Sequence, residues 1–447
     1  MRIEEHNFFA RDMVSDFPLA VKGKGSWIWD EKGKKYLDAC AGANVVGIGH
    51  GVCEIGDAMA KQASEIAFIP PRSFLSKPSL ELCKKLVEIS PPGFNRVMLL
   101  SGGSEAMENS FRLSRQYHFL SGSVSKYRII SRWQGFHGNT TGTDAVSGHS
   151  SRRSLYTPML MNVAHIVPAC CYRCAFERKY PGCGIFCAKD LERTIIQEGP
   201  DYISAFVAET VVGAAGAAVT PVPEYYPLIR EICDKYNILF VADEVMAGVG
   251  RTGTFTAIEQ WGVTPDMIVL AKGFSSGYAP LAAILVHDKV FDVFKKTKQS
   301  YNGGHTYNAH PVTSSAGIAV LNYLKKNKII EGVKEKGLLL EAGLKSIAAK
   351  YPIVGDVRGI GLFWGMEFVK DKKTKEPFDA SLAVFDKVIK VAVDNGLIVY
   401  PVFGCADGKR GDGILICPPL VIKNDEIEFL CNALDTTLDL VSKELDK

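Results

Sequence analysis

The strongest constraint on this fold is a pattern that recurs between residues 96 and 272. A short apolar run stops abruptly on a glycine, an aromatic or a charged residue. Arg96-Val97-Met98-Leu99-Leu100 runs into Ser101-Gly102-Gly103, and Arg128-Ile129-Ile130 leads to Trp133-Gln134-Gly135-Phe136-His137-Gly138. Ala205-Phe206-Val207-Ala208 stops at Glu209, Ile238-Leu239-Phe240-Val241-Ala242 at Asp243, and Met267-Ile268-Val269-Leu270-Ala271 at Lys272. Uninterrupted apolar runs of this length suit strands buried on both faces. Between two of them, residues 224–236 place Leu228, Ile229, Ile232 and Cys233 on one helical face. Strands alternating with helices predict an open α/β sheet, largely parallel. Ligands in such sheets bind beyond the carboxyl ends of the strands, so these distinctive strand ends point to a single site.

The two ends of the chain read differently. Residues 25–30 and 35–38 look like a short hairpin. From about Ile330 onward, helical stretches accompany strands at residues 361–368 and 413–417. We expect a large domain over residues 66–329 and a smaller α+β domain assembled from residues 1–65 and 330–447. The 447 residues, 47% hydrophobic and 23% charged, suit two or three core-forming units. Lys+Arg 52 against Asp+Glu 49 gives a formal net charge of +3, which calls for neither nucleic acid nor an anionic membrane as partner. The most apolar region, residues 205–222, is broken by Glu209, Thr210 and Thr220, and reads as a strand plus a tight loop, not a membrane span. The first residues show no basic stretch leading into an apolar core, so the expected location is the cytoplasm.

Each strand end has a chemical reading and a plainer one. Gly102 and Gly103 let the backbone turn tightly, and Ser104 opens a helix over about residues 104–117. A helix start with free N–H groups is an anion site, although Ser104 also suits simple N-capping. A buried carboxylate at Asp243 needs a cationic partner. A protonated pyridine nitrogen would serve, as pyridoxal phosphate requires, and a structural ion pair, with Arg251 for instance, is the alternative. Lys272 follows four apolar residues and is poorly placed for a solvated charge. A lysine in a partly apolar pocket has a lowered pKa and acts as an amine nucleophile, whereas an edge lysine would simply reach for water. Phe136 offers a flat face for a planar cofactor beside the hydrogen-bonding His137, or is one more core aromatic. Glu209 is either a polar group near a cofactor ring or half of a structural ion pair.

Together and in this order, these segments resemble the class III aminotransferases, from Trp27 to about Leu440. The most specific part runs from Phe240-Val241-Ala242-Asp243-Glu244-Val245 through Gly250-Arg251-Thr252-Gly253 to Leu270-Ala271-Lys272-Gly273. The resemblance implies fold type I and pyridoxal 5'-phosphate as cofactor. It implies that Lys272 carries the cofactor as a Schiff base and that Asp243 pairs with the pyridine nitrogen. Val245 and Phe136 would flank the ring, with His137 beside it. Gly103 and Ser104 would hold the phosphate, and Glu209 would lie on the hydroxyl side. Thr306, in Gly304-His305-Thr306-Tyr307, matches a threonine that reaches the neighbouring subunit's phosphate, which implies a homodimer or a dimer of dimers with shared sites. The implied activity moves an amino group from an ω-amino compound (an ω-amino acid, diamine, aminosulfonate or amine) to pyruvate or 2-oxoglutarate by a ping-pong mechanism. An aminomutase, epimerase or decarboxylase would use the same lysine and aspartate, and a non-catalytic relative would be expected to lose them.

Two positions depart from the family pattern. Leu415 stands where several branches have an arginine for the substrate α-carboxylate. Arg72, Lys409 and Arg410 are the other basic residues in view. Ala41-Gly42-Ala43-Asn44 occupies a segment where many amine:pyruvate relatives carry a tryptophan, and Asn44 suggests a more polar or roomier pocket. The resemblance leaves one cluster unexplained. Of the 12 cysteines, Cys170, Cys171, Cys174, Cys183 and Cys187 crowd one turn-rich loop. Cys171-x2-Cys174-x8-Cys183-x3-Cys187 is near a zinc-ribbon spacing. Zinc, an iron–sulfur cluster, a disulfide pair and packed reduced thiols all remain open there.

Overall fold

A computed structural model of the protein describes residues 7–445 except 11 and 14. All five apolar runs are strands of one seven-stranded sheet. Its order is Arg96–Leu100, Ala282–Val286, Met267–Leu270, Leu239–Asp243, Ile203–Glu209, Arg128–Arg132, Ala164–Ile166. The last five pair in parallel. Ala282–Val286 runs antiparallel to both of its neighbours.

The reversed strand and the short Ala164–Ile166 were not anticipated, for physical reasons. Ala282–Val286 is as apolar as its neighbours, but it begins at the edge where they end, so the polar His287 and Asp288 that follow it lie at the opposite edge from the other strand ends. Ala164-His165-Ile166 is too short to show a period.

Every residue of Ile203–Glu209, Leu239–Asp243, Met267–Leu270 and Ala282–Val286 is buried, because helices cover both faces of the sheet. Alternate residues face opposite sides. Ala205, Val207, Val241 and Val269 pack with Ala106, Met107 and Phe111 of the helix Gly103–Leu120. Phe206, Phe240 and Ile268 pack on the other side with Tyr226, Ile229 and Ile232 of the helix Tyr225–Lys235. Leu228, expected on that apolar face, is only partly buried.

The chain ends build two smaller sheets. Ala20–Lys24, Trp27–Asp30 and Lys35–Asp38 form an antiparallel set, and Leu397–Ile398 joins it in parallel. Val354–Ile360, Phe363–Phe368, Asp412–Ile416 and Tyr400–Phe403 form a second sheet, antiparallel throughout. Among the described residues, no helix is long and apolar enough to cross a membrane.

Candidate active site

Strand register brings the charged ends together. Glu209 lies opposite Asp243, and Asp243 opposite Val269, so Glu209, Asp243 and Lys272 leave three adjacent strands at one edge. Phe136 and His137 arrive on the loop after Arg128–Arg132. Gly103 and Ser104 open the helix after Arg96–Leu100, and Ala279–Leu281 feed the reversed strand from the same side. These residues, with Val245, line one cleft of about 420 Å³.

The floor of the cleft is an acidic pair held by fixed donors. Asp243 Oδ2 is 2.7 Å from His137 Nδ1, and its Oδ1 accepts the Val245 N–H at 3.0 Å. His137 Nε2 is 3.2 Å from the Ser131 hydroxyl, and the His137 N–H donates to Ser147 Oγ. The imidazole, held on its far side by Ser131, orients the carboxylate. Glu209 accepts the N–H groups of Phe136, at 2.8 Å, and Gly213, at 3.0 Å. Burial raises the Glu209 carboxyl above the usual range, and the neighbouring Asp243 adds to this against the pull of His137 and the two N–H donors.

Lys272 follows its strand in a left-handed conformation, φ 46°. Loss of solvent lowers its pKa below the ordinary lysine range, and the carboxylates of Glu209 and Asp243 offset this only in part.

At the other end of the cleft the backbone forms a cradle. A Cβ on Gly103 would lie 3.1 Å from Val245, and one on Gly138 would lie 2.5 Å from Ser104 Oγ. The Ser104 hydroxyl accepts the Asn139 N–H and lies 3.2 Å from Asn139 Oδ1. Gly102, not Ser104, is the N-cap, so the plain capping role for Ser104 is replaced by a place inside the first turn.

The readings of Arg251 and Asn44 require correction, and the remaining residues singled out in the sequence are placed as follows. Arg251 does not partner Asp243; its guanidinium donates to the Leu362 and Pro418 carbonyls. Asn44 does not widen the pocket. It is buried, with its amide donating to Met246 O at 3.0 Å, and Val45 lines the cleft instead. Leu415 is buried in an apolar cluster with Cys40, Met246 and Cys417. Arg410 is exposed and paired with Asp407, and Lys409 and Arg72 are exposed. Thr306 is exposed and outside the cleft of its own chain. Its loop crosses the start of the helix Gly103–Leu120, where His305 Nε2 lies 3.0 Å from Glu105.

The five crowded cysteines line one small cavity of about 30 Å³, as free thiols. Burial and the neighbouring sulfurs raise Cys171, and burial, with those sulfurs adding to it, takes Cys187 to about 11. Among the described residues, no three His, Cys, Asp or Glu side chains are arranged to hold a metal ion.

Arg152 was missed. It follows no apolar run, so a search of strand ends passes over it. Its only sequence signal is the basic pair Arg152-Arg153 after Gly148-His149.

A mostly parallel sheet with a lysine, an aspartate and an anion cradle at its carboxyl edge defines a pyridoxal-phosphate enzyme of fold type I. The family model described as Aminotransferase class-III matches residues 9–438, and the chain belongs to that family, whose members depend on this cofactor. An uncharacterized aminotransferase of Schizosaccharomyces pombe is 39% identical over 94% of this chain and 92% of its own length. The putrescine–pyruvate aminotransferase of Pseudomonas aeruginosa is 34% identical over 94% of this chain and 90% of its own. The solved omega transaminase from Pseudomonas jessenii in complex with PMP matches at a TM-score of 0.90 and 29% identity, covering 96% of this chain and 94% of that one.

The residues present fit the cofactor. Gly103 and Gly138 let the backbone pass close to Val245 and Ser104 at the start of the helix, where a phosphate would be held, Asp243 would offer a held carboxylate to a ring nitrogen, and Lys272 supplies an amine of lowered pKa within the same cleft.

Proposed function

We propose that this enzyme moves an amino group from an ω-amino compound to a keto acid, pyruvate or 2-oxoglutarate, by a ping-pong mechanism. The observation that carries the reading is Lys272 beside Asp243 and Glu209 on three adjacent strand ends. Bound pyridoxal phosphate supplies an electron sink for the substrate carbon that loses its proton. The residues of this chain do the rest. The Gly103 N–H and the Ser104 hydroxyl, at the start of the helix Gly103–Leu120, take the phosphate, where the helix dipole favours negative charge. Asp243, aimed by His137 and Val245, holds the proton on the ring nitrogen. Phe136 and Val245 confine the ring, and Glu209 faces its hydroxyl side. The Lys272 amine would take the proton from the amine-bearing carbon of the donor and pass it to the C4′ carbon of the bound cofactor, with the transfer running backwards in the acceptor half. Its lowered pKa keeps more of it in the free-base form near neutrality.

Support for an ω-amino donor comes from the family and from the relative named for putrescine and pyruvate. The twelve free cysteines suit a reducing compartment, the cytoplasm. Thr306, on its exposed loop, is assigned to the phosphate of a second copy in a homodimer. The deciding experiment follows the cofactor absorbance while ω-amino acids, diamines, aminosulfonates and simple amines are added in turn, then a keto acid. A donor that bleaches the band, with recovery on adding pyruvate or 2-oxoglutarate, is the expected result. Rearranged, epimerised or decarboxylated substrate, with no amino group passed on, would replace the reading by one of those chemistries.

A further inference from the structure

A keto acid brings a negative charge to a cleft that already holds Asp243 and Glu209. Lys272, the lysine in its lining, is committed to proton transfer. Another cation is therefore required, and the structure contains one that is unspent.

Arg152 lies in the short turn Ser150–Arg153. Its guanidinium carbon is 4.9 Å from the centroid of the Phe136 ring, which lines the cleft, and 5.2 Å from that of Phe403. Phe403 ends a strand of the sheet built from residues 354–416. Arg152 thus joins the cofactor side of the cleft to the smaller sheet. Its Nε is buried with no acceptor, and among the described residues its side chain has no hydrogen bond or ion pair.

The arginines nearby differ in this respect. Arg132 donates to the Glu209 carbonyl and the Tyr226 hydroxyl, Arg153 to the Ser147 carbonyl, and Arg251 to two carbonyls. Arg410 is held by Asp407, and position 415 is a buried leucine. Arg152 is also close enough for its charge to act on Lys272.

We propose that Arg152 binds the carboxylate of the keto-acid acceptor and so selects it, an assignment that rests on the aminotransferase direction proposed above. A guanidinium can sit on aromatic rings without an anion, because the ring quadrupole offsets part of its charge. Its N–H edges stay free. When a carboxylate enters, the planar fork takes both oxygens. When an uncharged or cationic amine enters, nothing has to be displaced. One cleft can then receive an amine and an acid in alternation.

The test uses holoenzyme with Arg152→Met and Arg152→Lys, both checked for unchanged melting temperature. With putrescine, which has no carboxylate, the donor half-reaction should remain within about twofold of wild type. With pyruvate, kcat/KM of the acceptor half should fall about 10- to 100-fold in Arg152→Met, mainly through KM, and recover in part in Arg152→Lys. Butyraldehyde, an acceptor without a carboxylate, should react equally with all three proteins. Calorimetric titration with propionate gives a readout apart from turnover, with binding to wild type lost in Arg152→Met. Equal losses with pyruvate and butyraldehyde would make Arg152 a mere packing residue and overturn the proposal, and an unchanged pyruvate KM would also overturn it. Wild-type enzyme that aminates butyraldehyde but no keto acid would overturn the functional reading itself, and the assignment with it.

Discussion

Lys272 adopts a backbone conformation that a side chain beyond Cα disfavours, φ 46°, at a cost of about 1–3 kcal/mol. The following turn, in which Phe274 N–H returns to the Ala271 carbonyl, holds it there and aims the amine into the cleft. Lys272→Ala is expected to keep the fold and some cofactor binding while abolishing transamination. Borohydride reduction of wild type followed by peptide mapping should label Lys272, and label on another lysine would sink the assignment. Because its pKa is lowered by burial, apoenzyme treated with an amine-directed reagent near pH 8 should lose Lys272 before its surface lysines. Asp243→Asn should lower the rate about 1,000-fold, since roughly 4 kcal/mol of lost stabilisation is three factors of ten. A near-normal rate would mean the ring nitrogen is paired elsewhere. That Asp243, Glu209 and Lys272 share one cleft was legible because each ends an apolar run of the same sheet. Their supports were not. The contacts of His137 with Asp243 and of Asn139 with Ser104 join segments 106 and 35 residues apart, and no local pattern encodes such a meeting.

At the scale of elements, the helix Gly103–Leu120 starts against the loop that carries Gly138. Gly138 has φ 140°, and a Cβ there would press on both Ser104 Oγ and Thr143 Oγ1, at 2.5 and 2.7 Å. Gly138→Ala is therefore expected to weaken cofactor affinity about tenfold or more, from strain of a few kcal/mol at most, with the fold intact. Fluorescence titration of apoenzyme with pyridoxal phosphate measures this, and wild-type affinity would show that Ser104 is free to move aside. Apolar runs identified the five strands whose ends gather at the cleft. The method failed at Ala282–Val286, whose direction is set by its pairing with Arg96–Leu100 and Met267–Leu270 and not by its own residues. It failed again at Asn44, where a polar residue near the site turned inward to a backbone carbonyl. In the cysteine loop, spacing disclosed the cluster but not the directions of the thiols. Protein purified without chelator should carry well below one zinc or iron per chain, and Cys187 should alkylate slowly at pH 8 because burial holds it protonated. One metal per chain would restore the coordinated reading.

For the whole molecule, the division of labour follows the sheets. The strand ends of the central sheet line the cleft, and Arg152 stands between Phe136 of that cleft and Phe403 of a smaller sheet. Leu155, Tyr156, Met159 and Met161 are exposed on the described surface. Mixing inactive Lys272→Ala chains with inactive Thr306→Ala chains should give hybrid dimers with one restored site each, measured as returning activity. Full activity from a demonstrated monomer would contradict this. The reversed strand Ala282–Val286 has a consequence of another kind. It stands between the strand that leads to Gly103 and the strand that leads to Lys272, so the two are separated by two inter-strand spacings, roughly 10 Å. Ladder hydrogen bonds set that width, and no side chain can alter it. The sheet is therefore a gauge: a ring with a phosphate arm can touch both jaws, whereas a vitamer without the arm leaves one of them empty, however well its ring fits.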